Sequence, residues 1–399
     1  MSTSLRTAWF AVALLWPVAQ LNYLDRQMLA SMKFSVMADI TDIGRDANWG
    51  WMLGQFKWVY ALLSPLGGYI ADRFSRRFTI CASLFVWSAV TWLTGEAATF
   101  DELLWTRTLM GISEAFYIPA ALALIADHHA AGTRSRAVGV HQTAIYCGVI
   151  LGGFAGYAAD SPDVGWRGAF HLAGLTGILY AIPLVFLLRD AKRDETVPRA
   201  GRPWELLNNR SFVLLVLYFT LPAIAGWVIR DWMPAILKTR FAIGQGRAGV
   251  SATLFVNLAA LGGAFLGGWC ADRAMRYTIR GRILVSACGM ALLIPALFGI
   301  GHAGTLAAAV AFLLLFGLGW GVFDCNNMPI LAQIVRPELR ATGYGIMNLV
   351  SISCGGFADW GFGAVMDQQT PLGAVFGTFA AVAAFSILLV LRIRPRNEH

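Results

Sequence analysis

The residues able to do chemistry in this sequence are ionisable side chains set within long apolar runs. Asp25 and Arg26 follow one such run, Lys57 lies in the next, Arg107 and Glu114 share a third, and Asp324 stands beside Asn326 and Asn327 in a later one. An ionisable group inside an apolar span is costly unless it is paired or faces water, so each is a candidate for binding or for proton transfer. Arg107 and Glu114 are seven residues apart, about two helical turns, which puts them on one face about 10 Å apart along the axis. Burial favours a proton on a carboxyl group and a neighbouring arginine favours its loss, so this pair suits proton exchange. Asp25 and Arg26 are adjacent and diverge by about 100° around a helix. Two arrangements stay open for them: Asp25 turned into a bundle with Arg26 toward a cavity, or both together as an interfacial pair at a helix end.

Glu114 is therefore the leading candidate for proton exchange and Arg107 for the positive field around it. Lys57, His141, Gln142 and Asn326 are further binding candidates. Lys57 precedes Asp72 by fifteen residues, about 22 Å along a helix, from where it either meets a substrate carboxylate or snorkels to the interface. His141 and Gln142 interrupt an apolar run ahead of Gly148, Gly152, Gly153 and Gly156, which read as a close helix-packing face. His141 is either a titrating group or a satisfied packing residue. Asp324 and its asparagines line a cavity or form a polar cluster at a helix end. Arg230 and Asp231, among Trp227, Trp232 and Pro234, read as an interfacial ion pair closing a helix. His128 and His129 fall in a loop and carry no assigned role.

The elements that must hold these residues are membrane spans. Of 399 residues, 57% are hydrophobic and 14% charged, where a soluble protein carries roughly 25% charged residues. Apolar stretches of about 20 residues predict helices near 8–28, 49–71, 78–96, 103–126, 136–159 and 168–189, then near 211–233, 247–271, 283–301, 304–328, 341–365 and 371–392. The expected fold is therefore all-α, twelve transmembrane helices in two six-helix bundles, residues 1–189 and 211–399, joined by a polar linker at 190–210. The first run follows Arg6 and continues without a clear cleavage site, so it is expected to be a retained span.

Net charge is +8, but Lys and Arg gather in short clusters between spans, as orientation signals do, and a nucleic-acid partner is not expected. Arg73, Arg76, Arg77, Arg134, Arg136, the linker, Arg273 to Arg282, Arg336, Arg340 and the tail fall on one side, with Lys238, Arg240 and Arg247 as a local exception. Both termini are expected in the cytoplasm and the chain in the inner (plasma) membrane. The six cysteines have no paired or ligand spacing and read as small core residues.

The chain also repeats itself. Gly67-Gly68-Tyr-Ile-Ala71-Asp72-Arg73 recurs 200 residues on as Gly267-Gly268-Trp-Cys-Ala271-Asp272-Arg273. Glu114 with Pro119 aligns with Asp324 and Pro329, and Arg136-Ala137-Val138-Gly139 with Arg340-Ala341-Thr342-Gly343. Parallel repeats of this kind are the organisation that lets two halves rock around a midplane site.

Gly68-Tyr-Ile-Ala-Asp72-Arg73-Phe-Ser-Arg76-Arg77 resembles the loop signature of the major facilitator superfamily, with Ser75 where the family usually has glycine. The resemblance implies a conformational gate at Gly68, Asp72, Arg73, Arg76 and Arg77, with a weaker second copy at Asp272, Arg273 and Arg276. Asn22-Tyr-Leu-Asp25-Arg26, with Arg107, Gly111 and Glu114, resembles the anion:cation symporter branch, which includes sugar-acid permeases and relatives of sialin and the vesicular glutamate transporters. That likeness implies proton-coupled symport of a small organic anion, with Asp25 and Glu114 as the proton-coupling residues and Arg26 and Arg107 as anion-binding ones. The same motifs, with Ile125-Ala126-Asp127 and Thr133-Arg134-Ser135-Arg136, are also similar to the Spinster family of lysolipid and sphingolipid exporters, which adds Asp127 to the gate. No Ser-His-Asp, metal-ligand or phosphate-loop signature is visible, so neither an enzyme nor a cofactor or metal site is expected. The expected partners are an organic anion, protons and the lipid bilayer, and family behaviour implies a monomer.

Overall fold

The computed structural model describes residues 5–129, 131–190 and 204–395, with the side chains of Ala71, Asp72 and Ala131 outside that description. Among the described residues there are helices and no strands, and twelve of the helices are long. In the first half these are α1 Leu5–Ser31, α2 Asp46–Arg73, α3 Arg76–Thr94, α4 Phe100–His128, α5 Ala131–Asp160 and α6 Gly165–Leu187. The second half has α7 Arg210–Phe241, α8 Gln245–Ala274, α9 Gly281–His302, α10 Leu306–Ile334, α11 Pro337–Asp367 and α12 Leu372–Leu391. Most of the linker expected at 190–210 lies outside the described residues.

Ten of these helices, α3 to α12, are long and apolar enough to cross a membrane. The remaining two are as long, 27 and 28 residues, but α1 carries Gln20, Asn22, Asp25, Arg26 and Gln27, and α2 carries Lys57. The two helices diluted by polar residues are thus those that supply much of the candidate site. Large apolar side chains such as Leu62, Phe78 and Phe265 are exposed on the helix surfaces, as a lipid-facing surface requires.

Two departures from the expected helix ends matter for the site. The first helix runs to Ser31 and is followed by a short helix, Lys33–Asp39, so Asp25 and Arg26 lie within it and are not an end-cap pair. Likewise α7 continues to Phe241, past Arg230 and Asp231. The described residues fall into two compact units. One holds α1 to α6 with Asp231–Val250, and the other holds α7 up to Arg230 with everything from Ser251 on.

The fourth helix is broken directly after Glu114, its two pieces being Phe100–Glu114 and Tyr117–His128. Pro119 explains the break, because its ring clashes with the carbonyl four residues earlier, that of Ala115, and it offers no N–H to that group. The Ser83 hydroxyl takes up one freed carbonyl, donating to Ser113 O at 2.5 Å. Gly67 accommodates the displaced backbone, since a Cβ there would lie 2.5 Å from Ala115 O. Its repeat mate Gly267 presses on α10 in the same way, 2.8 Å from Val322 Cα, whereas Gly68 and Gly268 have nothing within 4 Å. Gly67, which precedes the resemblance motif, therefore sets the helix packing, and Gly68, the first residue of the motif, does not.

The glycine face of α5 packs as its spacing predicts. A Cβ at Gly148 would meet Gln20 O at 2.3 Å, and one at Gly152 would meet Leu24 O at 2.7 Å, so α1 and α5 approach backbone to backbone. The repeat extends to the caps, with one correction. Arg134 donates to Ala126 O at 3.0 Å and His129 O at 3.4 Å, and Arg340 donates to Ala332 O at 2.9 Å and Val335 O at 3.3 Å. Arg134, and not the expected Arg136, is the structural mate of Arg340. The cysteines also depart from expectation: Cys81 is buried, Cys147, Cys325 and Cys354 are half-buried, and Cys270 and Cys288 are exposed.

Candidate functional site

Four charged residues of the first unit converge. Arg26 on α1 donates through Nε to Glu114 Oε2 on α4 at 2.6 Å, and Glu114 is fully buried at the helix break. The Arg26 guanidinium stands over the rings of Tyr23, Phe56 and Tyr60, at 4.9, 4.9 and 4.6 Å from their centroids. Each such contact is worth about 0.5–2 kcal/mol depending on desolvation, so the aromatic box holds the cation even when its carboxylate partner changes state.

Asp25 and Arg107 stand behind this pair. Asp25 is buried, and its Oδ2 lies within hydrogen-bonding reach of the Thr91 hydroxyl on α3. The same hydroxyl reaches Trp87 O at 2.9 Å. With a single hydroxyl hydrogen, Thr91 donates to one of the two at a time, so the Asp25 contact is sensitive to whether Asp25 carries a proton. Arg107 is buried and donates through Nη2 to Thr94 Oγ1 at 2.8 Å. One turn of α3 thus positions both Asp25 and Arg107.

The cluster retains unused hydrogen-bonding capacity. Among the described residues, Glu114 Oε1, Arg26 Nη2, Asp25 Oδ1, Arg107 Nε and both polar atoms of the Asn22 side chain are buried without a partner. Buried polar groups are otherwise almost always paired, so this concentration on α1 and α4 is where a ligand or water could be held.

The other expected binding residues are dispersed. Lys57 is buried and paired with Asp231 on α7, and so neither snorkels nor stands open to a substrate. Asp231 is not paired with its neighbour Arg230, whose guanidinium lies 5.5 Å from the Trp227 ring centroid. Adjacent residues diverge by about 100° around a helix, which separates the two and corrects the expected interfacial pair. His141 is buried with Nε2 3.0 Å from Tyr117 Oη, and that hydroxyl reaches Leu15 O at 3.1 Å, so it ties α1, α4 and α5 together as a packing residue. Gln142 is exposed. Asn326 is buried and donates to Val322 O on its own helix at 2.9 Å, while Asp324 is exposed.

At the expected gate, Arg76 is ion-paired with Asp127 and donates to Ala123 O at 2.8 Å. Arg77 binds Val185 O through its side chain and Asp190 through its backbone N–H. Ser75, the departure from the signature, caps α3 by accepting from Phe78 N–H at 3.0 Å and donates to Asp190 Oδ2 at 2.5 Å. Arg73 is exposed and donates to Tyr69 Oη. In the second copy Asp272 pairs with Arg282 at 3.6 Å, and Arg273 and Arg276 are exposed. The Asp72 side chain lies outside the described residues, and a Cβ at Gly68 would meet nothing within 4 Å.

Thr91, Thr94 and the aromatic box were not singled out in the sequence. The threonines were readable as polar positions three apart on an otherwise apolar span, while Phe56 and Tyr60 look like ordinary span residues until α1 is placed beside α2.

The profile described as Major Facilitator Superfamily matches residues 15–358. Protein spinster of Drosophila melanogaster is 27% identical over 371 residues, which cover 88% of this chain and 60% of that protein. Protein spinster homolog 1 of Mus musculus is 29% identical over 378 residues, 85% of this chain and 69% of that one. This chain therefore spans less than two thirds of the fly relative's length. A crystal structure of a bacterial homologue of the human lysosomal transporter Spinster, inward-facing and unoccupied, superposes with a TM-score of 0.78 at 21% identity, over 98% of this chain and 95% of that one. With a matching profile over most of its length and a matching helical fold, the chain is a multi-pass membrane protein that belongs to the Major Facilitator Superfamily.

Proposed function

We propose that the protein is a proton-linked secondary transporter of an amphiphilic organic anion, working by alternating access of its two halves. The observation that carries this reading is the buried Arg26–Glu114 pair inside an aromatic box. An incoming anion and the Glu114 carboxylate compete for one guanidinium. When Glu114 takes a proton the competition ends, and Arg26 turns its charge to the substrate. Loss of the substrate returns Arg26 to Glu114 and releases the proton. The cycle couples one proton to one anion without any further component.

Asp25, held by Thr91, supplies a second proton-sensitive carboxyl, and Arg107, held by Thr94, the remaining positive field. An apolar body suits the aromatic wall made by Tyr23, Phe56 and Tyr60, and the spinster relatives support an amphiphile over the sugar acid that the anion:cation symporter resemblance implies. Lys57, His141, Gln142 and Asn326 have no part in the proposed anion site. The gate is assigned to Arg76 with Asp127 and to Arg77 with Asp190. We further place the protein in the inner membrane as a monomer with both termini cytoplasmic, its halves being 1–189 and 211–399.

The test is counterflow in proteoliposomes, with radiolabelled lysophosphatidylglycerol and radiolabelled glucuronate offered separately at two pH values. Saturable, pH-dependent exchange of the lysolipid is expected. Exchange of glucuronate alone would replace the amphiphile by a small hydrophilic anion, and exchange of neither would remove the reading.

A further inference from the structure

At the end of the first unit that carries the α2–α3 arginines lies a cavity of about 440 Å³, lined by α1, α4 and α6 and by none of the residues assigned to transport. Phe10 and Phe186 form an exposed apolar wall, and Arg6 and Arg189 stand at the rim beside His128. His128 is 7% exposed, and its Nδ1 has no partner among the described residues. Its Nε2 lies 3.0 Å from Arg189 O and fixes the rim. The acids nearest in sequence are already used: Asp127 holds Arg76, and Asp190 accepts from Ser75 and Arg77. Among the described residues no ion pair joins the guanidinium of Arg6 or Arg189 to a carboxylate.

The repeat indicates what such a position accepts. Arg134 and Arg340 match the ends of α4 and α10, so the equivalent place in the second unit is the start of α7 with the ends of α10 and α12. There the chain supplies both components itself, beside a smaller cavity of about 280 Å³. A short helix, Trp204–Leu207, brings buried Leu206 as the apolar component and Glu205 as the acid, ion-paired with Arg336. In the first unit the described chain supplies neither, while the complementary apolar wall and cations are present.

We propose that this cavity is a binding site for an anionic phospholipid, with its phosphate on Arg6 and Arg189 and an acyl chain along Phe10 and Phe186. Guanidinium groups bind phosphate oxygens through charge-assisted, often paired, hydrogen bonds, and basic pockets at the ends of membrane helices recognise anionic headgroups. A soluble phosphate would leave the apolar wall unused. This site is separate from the transport reading and does not depend on it.

The experiment is native mass spectrometry of the purified full-length chain titrated with dioleoyl phosphatidylglycerol or dioleoyl phosphatidylcholine. At least tenfold tighter binding of the anionic lipid is expected, reduced to under threefold in Arg6→Gln/Arg189→Gln. The charge-matched control Arg136→Gln/Arg392→Gln, whose arginines are exposed elsewhere, retains the preference, as does Arg26→Gln/Glu114→Gln, which separates this site from the substrate site. Equal binding of the two lipids by the unaltered chain, or full preference in Arg6→Gln/Arg189→Gln, would overturn the proposal. Should that variant fail to fold, competition on the unaltered chain decides: displacement of the lipid by equimolar glycerol phosphate contradicts a lipid site, and resistance to it supports one.

Discussion

Arg26 and Glu114, 88 residues apart in sequence, meet at 2.6 Å with the carboxylate fully buried and the guanidinium enclosed by three aromatic rings. A buried ion pair of this kind adds little net stability, because desolvation offsets most of the attraction, yet removing one partner is expensive. The relationship is therefore better understood as a switch than as a brace.

Arg26→Met should lower the melting temperature clearly, since an isolated Glu114 carboxylate costs up to about 3–5 kcal/mol, less whatever protonation relieves. Arg26→Met/Glu114→Gln should recover most of that loss while remaining inactive in transport. Thermal unfolding in detergent reads both, and a double variant as unstable as the single one would show that the two residues do not act as a pair.

Lys57 and Asp231 should behave in the same way. Lys57→Met leaves a buried acid and is expected to destabilise by about 3 kcal/mol, whereas Lys57→Met/Asp231→Asn is expected to lie near the unaltered chain. A double-mutant cycle on melting temperature gives the coupling, and additivity would mean that the pair is unimportant.

The two glycines of the α2 motif should separate cleanly. Gly67→Ala places a methyl group 2.5 Å from the Ala115 carbonyl and should cost about 1–3 kcal/mol. Gly68→Ala meets nothing and should be neutral or stabilise by up to about 1 kcal/mol through helix propensity. Equal effects at the two positions would contradict the packing described for the α4 break.

Arg134→Ala and Arg340→Ala should each cost about 1–2 kcal/mol through lost carbonyl caps, whereas Arg136→Ala should cost almost nothing. A larger effect at Arg136 than at Arg134 would restore the register expected from sequence.

The helices were legible because hydropathy records membrane spans directly, and the repeat was legible through Gly67 and Gly267. Their ends were less so: α1 and α7 run past Asp25 and Asp231 because buried partners on other helices replace the water that polar residues usually signal. Arg107 and Glu114 announced themselves by charge and spacing. Their true partners, Thr94 and Arg26, depend on which helix lies beside which, and helix neighbours are not written in periodicity. For the same reason Lys57, so conspicuous in its apolar run, turned out to be answered by an acid 174 residues away.

The most direct measurement compares unaltered protein with Glu114→Gln in proteoliposomes, reading accumulation driven by a pH gradient and counterflow without one. Glutamine keeps the shape and an oxygen for Arg26 but cannot exchange a proton. Gradient-driven accumulation should vanish in the variant while counterflow persists within a few-fold. Undiminished accumulation under the gradient would contradict a proton switch at the Arg26–Glu114 pair.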